Sequence, residues 1–307
     1  MQEKARILVV DDEPEILEMI SDYLKDGIGY AIYTAADGMS ALDLLEKEKI
    51  DLVLSDINMP FMKGFDLLKE VRDKYPHIKR VLITAYNVED YLELAMKHDI
   101  GNIFVKTTPF NFQELSAILD NLLTNDIFGL DRYFEPGIES KLFSVRRSQR
   151  LDLDARKIVA TVDSTDRARR LELVIVELLT NAIFYGIRNE SPDNKEFWVH
   201  DFELTEDKAI QISVSSDAEK YGISVVDSGG RLKKSDVLYW LHRQVARDEN
   251  GLPLGLYDSH GRGFYIARRY IDRLIVNIDK AKQTEVIIIN YYSNTYQGYK
   301  PLYINEL

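Results

Sequence analysis

Four short apolar runs punctuate the first 110 residues, and each delivers a group that can do chemistry. Ile7–Val10 leads into Asp11 and Asp12, Leu52–Leu54 with Ser55 into Asp56, Val81–Ile83 into Thr84, and Ile103–Val105 into Lys106. Between the runs, apolar positions recur at helical spacing, as at Ile16, Leu17, Ile20 and Leu24, the repeat that one buried helix face requires. The pattern predicts strands near 6–10, 30–34, 51–55, 80–84 and 102–105, and helices near 14–26, 38–48, 64–74, 88–98 and 111–123. Short buried strands alternating with helices imply a parallel sheet, which presents its chemistry at the carboxyl ends of the strands. Three carboxylates, a hydroxyl and an ammonium are therefore expected in one crevice.

Beyond residue 124 the pattern changes. The stretch 125–137 carries Gly129, Pro136 and Gly137 and is expected to be turn-rich; 141–145 suits a strand and 148–162 a helix. Arg170–Tyr185 is a strong helical pattern, Gly222–Val226 a strand ending in Asp227-Ser228-Gly229-Gly230, and Ser235–Arg247 a helix. Ser259-His260-Gly261-Arg262-Gly263 opens a helix expected over Phe264–Arg273. The chain of 307 residues is long enough for two cores. The domains are expected at 1–124 and 137–307, with the second core at 170–292 and a connector over 125–169 that leads into it.

Charge separates the two parts. Residues 1–124 hold 13 basic and 23 acidic side chains, against 26 and 28 in the remainder, so nearly all of the net −12 belongs to the first part. An acidic chain argues against nonspecific nucleic-acid binding. The absence of cysteine excludes disulfides and thiolate chemistry and fits a reducing compartment. No apolar run reaches membrane-spanning length, and the N-terminus lacks a signal-peptide pattern. A cytoplasmic protein is the expectation. The basic stretch containing Arg146, Arg147, Arg150, Arg156, Arg167, Arg169 and Arg170 is either a solvated face or a docking face for an acidic partner.

Asp11, Asp12 and Asp56 would repel one another without a shared cation, and clustered hard oxygens suit Mg2+. With Lys106, such a metal would neutralise a phosphoryl group passing to a carboxylate. The stretches LVVDDEP, SDINMPFMKG, LITAY and FVKTTPF closely resemble the receiver domain of bacterial response regulators, over about 120 residues. The resemblance implies a flavodoxin-like (βα)5 fold, Asp56 as phosphoacceptor, and Asp11, Asp12, Asp56 and the Asn58 backbone carbonyl around Mg2+. It also implies Thr84 and Lys106 as phosphoryl-binding groups, and a cognate sensor histidine kinase as partner. Two departures from the pattern stand out: Thr107 and Thr108 separate the lysine from Pro109, and Ile103 stands at the aromatic switch position.

In the second part, Glu177 and Asn181 share one face of an otherwise apolar helix. Asp227 followed by glycines lets backbone approach a flat base while the carboxylate accepts from an amine. A glycine-rich helix entry at 261–263 suits an anion. ELLTNAIFYG, VVDSGG, GRGFYIARRYID and QTEVIIINY together resemble the Bergerat-type ATP-binding fold of histidine kinases, gyrase and MutL, most closely the anti-sigma-factor serine kinases. That resemblance implies an α/β sandwich in which Asn181 meets the ATP-bound Mg2+ and Asp227 the adenine amine. Gly229 would lie beneath the base, Gly261 and Gly263 at the phosphates, Thr284 in the closing strand, and Glu177 as general base.

Three outputs follow from these resemblances. The first is a receiver-controlled kinase acting on a serine or threonine of an anti-sigma-factor antagonist. The second is nucleotide-dependent sequestration of a sigma factor or antagonist without catalysis. The third, an atypical histidine kinase, is disfavoured because His77 and His98 lie in the first domain and His200, His242 and His260 follow the Asn181 helix. No direct nucleic-acid or membrane partner is expected, and homodimerisation is left open.

Overall fold

The computed structural model describes residues 4–162, 168–189, 201–256 and 262–307. It divides into two units, Met1–Ile127 with Thr295–Tyr303, and Phe128–Asn294 with Ile304–Leu307.

The first unit alternates β1 (Arg6–Val10), α1 (Pro14–Asp22), β2 (Ala31–Ala35), α2 (Gly38–Leu45), β3 (Leu52–Asp56), α3 (Gly64–Lys74), β4 (Lys79–Thr84), α4 (Leu92–His98), β5 (Asn102–Val105) and α5 (Phe112–Thr124). The five strands run parallel in the order β2-β1-β3-β4-β5. Their apolar residues, from Ile7 to Val10, Leu52 to Leu54 and Val81 to Ile83, are buried on both faces, as helix-covered parallel sheets require. Register then fixes the chemistry: Val10 pairs with Ser55, Asp56 with Ile83 and Thr84 with Val105. The polar residues that follow emerge along one edge.

Local signals place the helices. Pro14 opens α1 at a position where its missing N–H is not needed; α1 then widens into a π turn over Tyr23–Ile28 that stops at Gly29 in the left-handed region. Asp37 caps α2 by accepting from the Ser40 amide, and Asn111 caps α5 by accepting from the Glu114 amide. The α4 region begins as a tight 3-10 turn over Val88–Tyr91.

The second domain expected over 137–307 is interrupted: Thr295–Tyr303 belongs to the first unit. Leu302 and Tyr303 pair antiparallel with Ile103 and Asn102 on the outer edge of β5.

The second unit contains β6 (Lys141–Val145), α6 (Leu151–Val159), α7 (Ala168–Asn181), β7 (Ile210–Ser216), β8 (Lys220–Asp227), α8 (Lys234–Val245), α9 (Gly263–Tyr270), β9 (Arg273–Asp279) and β10 (Gln283–Tyr291). A final strand, β11 (Leu302–Glu306), enters this unit at Ile304 and lies beside β9. Strands β6, β7, β8, β10 and β9 form an antiparallel sheet in that order. Helix α7 packs on both α6 and α9.

The helix placed over Phe264–Arg273 ends at Tyr270; Ile271 is extended and Arg273 already begins β9. Antiparallel pairing overrides helix continuation here. Arg273 pairs with Ile289, and Asp272 locks the turn by accepting from the Tyr291 amide at 2.8 Å while its own amide donates to Asn290.

Candidate functional site

In the first unit the strand ends converge on one ammonium. Lys106 Nζ lies 2.7 Å from Asp11 Oδ2, 2.8 Å from Asp56 Oδ1 and 3.2 Å from Glu13 Oε1. Asp11, Asp56 and Thr84 are all buried. Burial penalises charge on Lys106, but hydrogen bonds and attraction from Asp11 and Asp56 outweigh it and raise its pKa above the ordinary lysine value. Burial likewise pushes the Asp11 carboxyl up, against the opposing pull of Lys106. The Asn58 amide donates to Asp56 Oδ2 at 2.6 Å, and the Tyr86 amide to Thr84 Oγ1 at 3.0 Å. Asp12 lies on the exposed loop beside Asp11. The peptide before Pro109 is cis.

Among the described residues no three His, Asp or Glu side chains form a metal cluster. Two buried carboxylates, Asp11 and Asp56, brought to one point nevertheless suit Mg2+, which binds through one or two carboxylates and keeps several waters. Asp11, Asp56 and the neighbouring carbonyls have the hard-oxygen chemistry for it, and Asp12 follows Asp11 directly.

The second unit brings another set together. Thr284 on β10 pairs with Asp227 at the end of β8. Asp227 is buried, and its Oδ1 accepts from the Gly229 amide at 2.9 Å. Burial pushes its carboxyl up to about 6, although the Gly229 and Gly230 amides, Thr284 and Arg231 pull the other way. Helix α7 runs into a π turn over Ala182–Ile187, and this turn carries Gly186 against the carboxyl. A Cβ on Gly186 would fall 2.5 Å from Asp227 Cγ, and one on Gly229 would fall 1.8 Å from the Gly186 carbonyl oxygen. Both positions demand glycine for close backbone approach. At the start of α9, a Cβ on Gly263 would meet Asn181 Nδ2 at 2.9 Å and Glu177 Oε2 at 3.2 Å. Asn181, Glu177 and Gly263 are therefore neighbours, as are Asp227, Gly229 and Thr284. Gly261 and His260 lie outside the described residues.

The buried Ser228 hydroxyl has no hydrogen-bond partner, and the Thr284 hydroxyl beside Asp227 is not seated in full hydrogen-bond geometry. Buried polar atoms seek partners. A Thr284 hydroxyl in need of a partner beside the buried Asp227 carboxyl fits a flat, hydrogen-bonding heterocycle such as adenine.

Residues 7–120 match the family described as the response regulator receiver domain. The first unit is a receiver domain. Its relatives include the response regulator FleR of Pseudomonas aeruginosa, 36% identical over 161 residues that make up 52% of this chain and 32% of FleR. The sensor histidine kinase TmoS of Ectopseudomonas mendocina is 32% identical over 129 residues, 41% of this chain and 13% of TmoS. The chain thus spans a third or less of these two curated relatives. Among solved structures, the response regulator TrrA of Thermotoga maritima, in complex with Mg2+ and BeF, is 38% identical and covers 38% of this chain and 98% of its own, with a TM-score of 0.35. Among the described residues no helix is long and apolar enough to cross a membrane.

Three residues of these clusters escaped the sequence reading. Glu13 reaches the receiver lysine; the acidic run Asp11-Asp12-Glu13 was its only signal. The Tyr91 hydroxyl accepts from Asn58 Nδ2 at 2.8 Å across 33 positions of sequence, which no local pattern encodes. Gly186 stood in view at the end of ELLTNAIFYG, but its partner, Asp227, lies on a different element.

Proposed function

We propose that this chain is a two-component response regulator whose receiver controls an ATP-binding effector. A sensor histidine kinase supplies the phosphoryl group, and Asp56 accepts it through an oxygen of its carboxylate. Asp11, Asp12, Asp56 and the Asn58 carbonyl hold Mg2+, which supplies charge neutralisation to the incoming phosphoryl group. Lys106 and Thr84 bind the phosphoryl oxygens.

In the second unit, Asp227 accepts from the adenine amine, Gly229, packed against Gly186, lies beneath the base, and Thr284 closes the site. Asn181 meets the nucleotide-bound Mg2+, and the amides of Gly263, at the α9 entry, and of Gly261 bind the phosphates. Glu177 takes the proton from a serine or threonine hydroxyl of a partner-switching antagonist as the γ-phosphoryl passes to that oxygen and ADP departs. The protein works in the cytoplasm, and its target is an anti-sigma-factor antagonist. The observation that carries this reading is the pairing of the buried Asp227 with Gly186, Gly229 and Thr284, together with the contact of Asn181 and Glu177 at Gly263.

The test is calorimetric titration of Mg-ATP into the full chain and into Asn181→Ala, with and without beryllofluoride on the receiver. Binding in the wild type that is lost in the variant, with an affinity altered by beryllofluoride, is the expected result. Equal affinity in both receiver states would count against coupling, and no binding in any state would sink the nucleotide reading. Labelled phosphate appearing on a partner, and lost in Glu177→Gln, separates the kinase from nucleotide-dependent sequestration.

A further inference from the structure

The outer edge of β5 is occupied by the chain's own tail, at the point where the receiver departs from its family pattern. Thr108, the second residue interposed before Pro109, exchanges two backbone hydrogen bonds with Gln297: its amide donates to the Gln297 carbonyl at 2.8 Å, and the Gln297 amide returns to its carbonyl at 3.0 Å. Gly298 follows at φ 154, and a Cβ there would lie 3.2 Å from Thr107 Cγ2. Leu302 and Tyr303 then pair with Ile103 and Asn102, and both are 1% exposed. The Tyr303 hydroxyl donates to Glu114 Oε1 at 2.7 Å. Glu114 itself belongs to the α5 cap, since its Oε2 accepts from Asn111 and its amide donates to that residue. Residues 295–303 thus bracket the β5–α5 loop, held at Thr108 on one side and at Glu114 on the other.

That loop begins at Lys106. Its side chain joins Asp11 and Asp56, and its amide donates to the Thr84 carbonyl at 2.8 Å. Only Thr107 separates this residue from the tail's backbone anchor. An exposed strand edge normally acquires a partner or a guard, and here the partner is tied to the phosphoryl-binding lysine.

We propose that the β5 edge and the start of α5 are a docking surface for residues 295–303 of the same chain, and that phosphoryl occupancy of Asp56 loosens this strap. The proposal rests on Asp56 as phosphoacceptor. When Lys106 and Thr84 turn to the phosphoryl oxygens, the loop from Lys106 to Phe110 shifts, and the Thr108–Gln297 pair yields before the buried strands do. The Thr108–Gln297 pair is an isolated two-bond bridge outside the strands, and such a bridge opens at less cost than the buried Leu302 and Tyr303.

Hydrogen exchange of the full chain, read by mass spectrometry with Mg2+ alone and with Mg2+ plus beryllofluoride, tests the strap. Peptides covering 54–60 and 82–87 report occupancy of the site. The expected result is added protection there and exchange at least about tenfold faster across 295–303, with neither change in Asp56→Asn. Protection around Asp56 with unchanged exchange in 295–303 would overturn the strap while leaving the phosphoacceptor standing. No response around Asp56 would overturn the phosphoacceptor reading, and the strap with it. Tyr303→Phe removes only the hydroxyl and is expected to speed exchange of 295–303 without beryllofluoride; unchanged exchange would count against the hold by α5.

Discussion

At the scale of single residues, burial decides what each carboxylate can do. Asp56 shares Lys106 with Asp11, and its replacement by Asn keeps the shape but removes the nucleophilic oxygen. Asp56→Asn is expected to accept no phosphoryl group from acetyl phosphate on phosphate-affinity gels while keeping its circular dichroism spectrum. Asp227 behaves differently because it is buried without a full countercharge. Its carboxyl is raised from 3.8 to about 6, so the folded chain holds this proton more tightly than the unfolded chain. Its contribution to stability is complete below the unfolded value and is lost as pH rises through the folded one. Relative to Asp227→Asn, the wild type is expected to lose up to roughly 3 kcal/mol between about pH 4 and pH 6 in urea titrations; parallel curves would refute this. The ionised carboxylate accepts from an amine more strongly than the protonated acid does, so Mg-ATP affinity should rise over the same window. Both acids stood out in the sequence, because each closes an apolar strand. Glu13 and Tyr91 did not, because their partners arrive from other elements.

Among the elements, the strands and helices of the receiver were legible because period and punctuation agree: apolar runs end in polar groups, and Asp37 and Asn111 stand as caps. The end of α9 was not. Tyr270 to Arg273 continues a helical pattern locally, and only pairing with β10 turns Arg273 into a strand residue. Strand β10 also hides a polar anchor in an apolar run. Glu285 is 3% exposed and accepts from Ser224 Oγ at 2.6 Å, the Gly129 amide at 3.0 Å and Asn277 Nδ2 at 3.1 Å. It ties the start of the second unit to its sheet, where Leu130 and Phe134 close over Gly222. Glu285→Ala strands three donors and is expected to destabilise the second unit by about 3 kcal/mol or more, seen as a lower urea midpoint of its transition. A midpoint within error of the wild type would mean that water replaces the carboxylate.

At the scale of the whole molecule, the chain leaves the receiver at Ile127, returns for Thr295–Tyr303 and ends in the second unit. The receiver therefore borrows two fully buried side chains, Leu302 and Tyr303, from far along the sequence. Residues 1–127 alone are expected to be less stable than the same residues linked to 295–303 by a flexible tether, by about 2–5 kcal/mol from the buried apolar surface. Equal urea midpoints would show that the return segment contributes nothing to the receiver core. Sequence by itself determined the alternation of strands and helices, the strand-end positions of Asp11, Asp56, Thr84 and Lys106, and the glycine and carboxylate residues of the second cluster. The receiver positions follow from local periodicity and from the rule that parallel strands expose chemistry at their carboxyl ends; the second set, on an antiparallel sheet, follows from its strand-end and helix-entry glycines. Only the tertiary structure decided that Gly186 abuts Asp227, that Gly263 abuts Asn181 and Glu177, and that Gln297 and Tyr303 hold the β5–α5 loop. Those contacts join residues that share no local period, and they exist because separate elements must bury their remaining polar and apolar surface against one another.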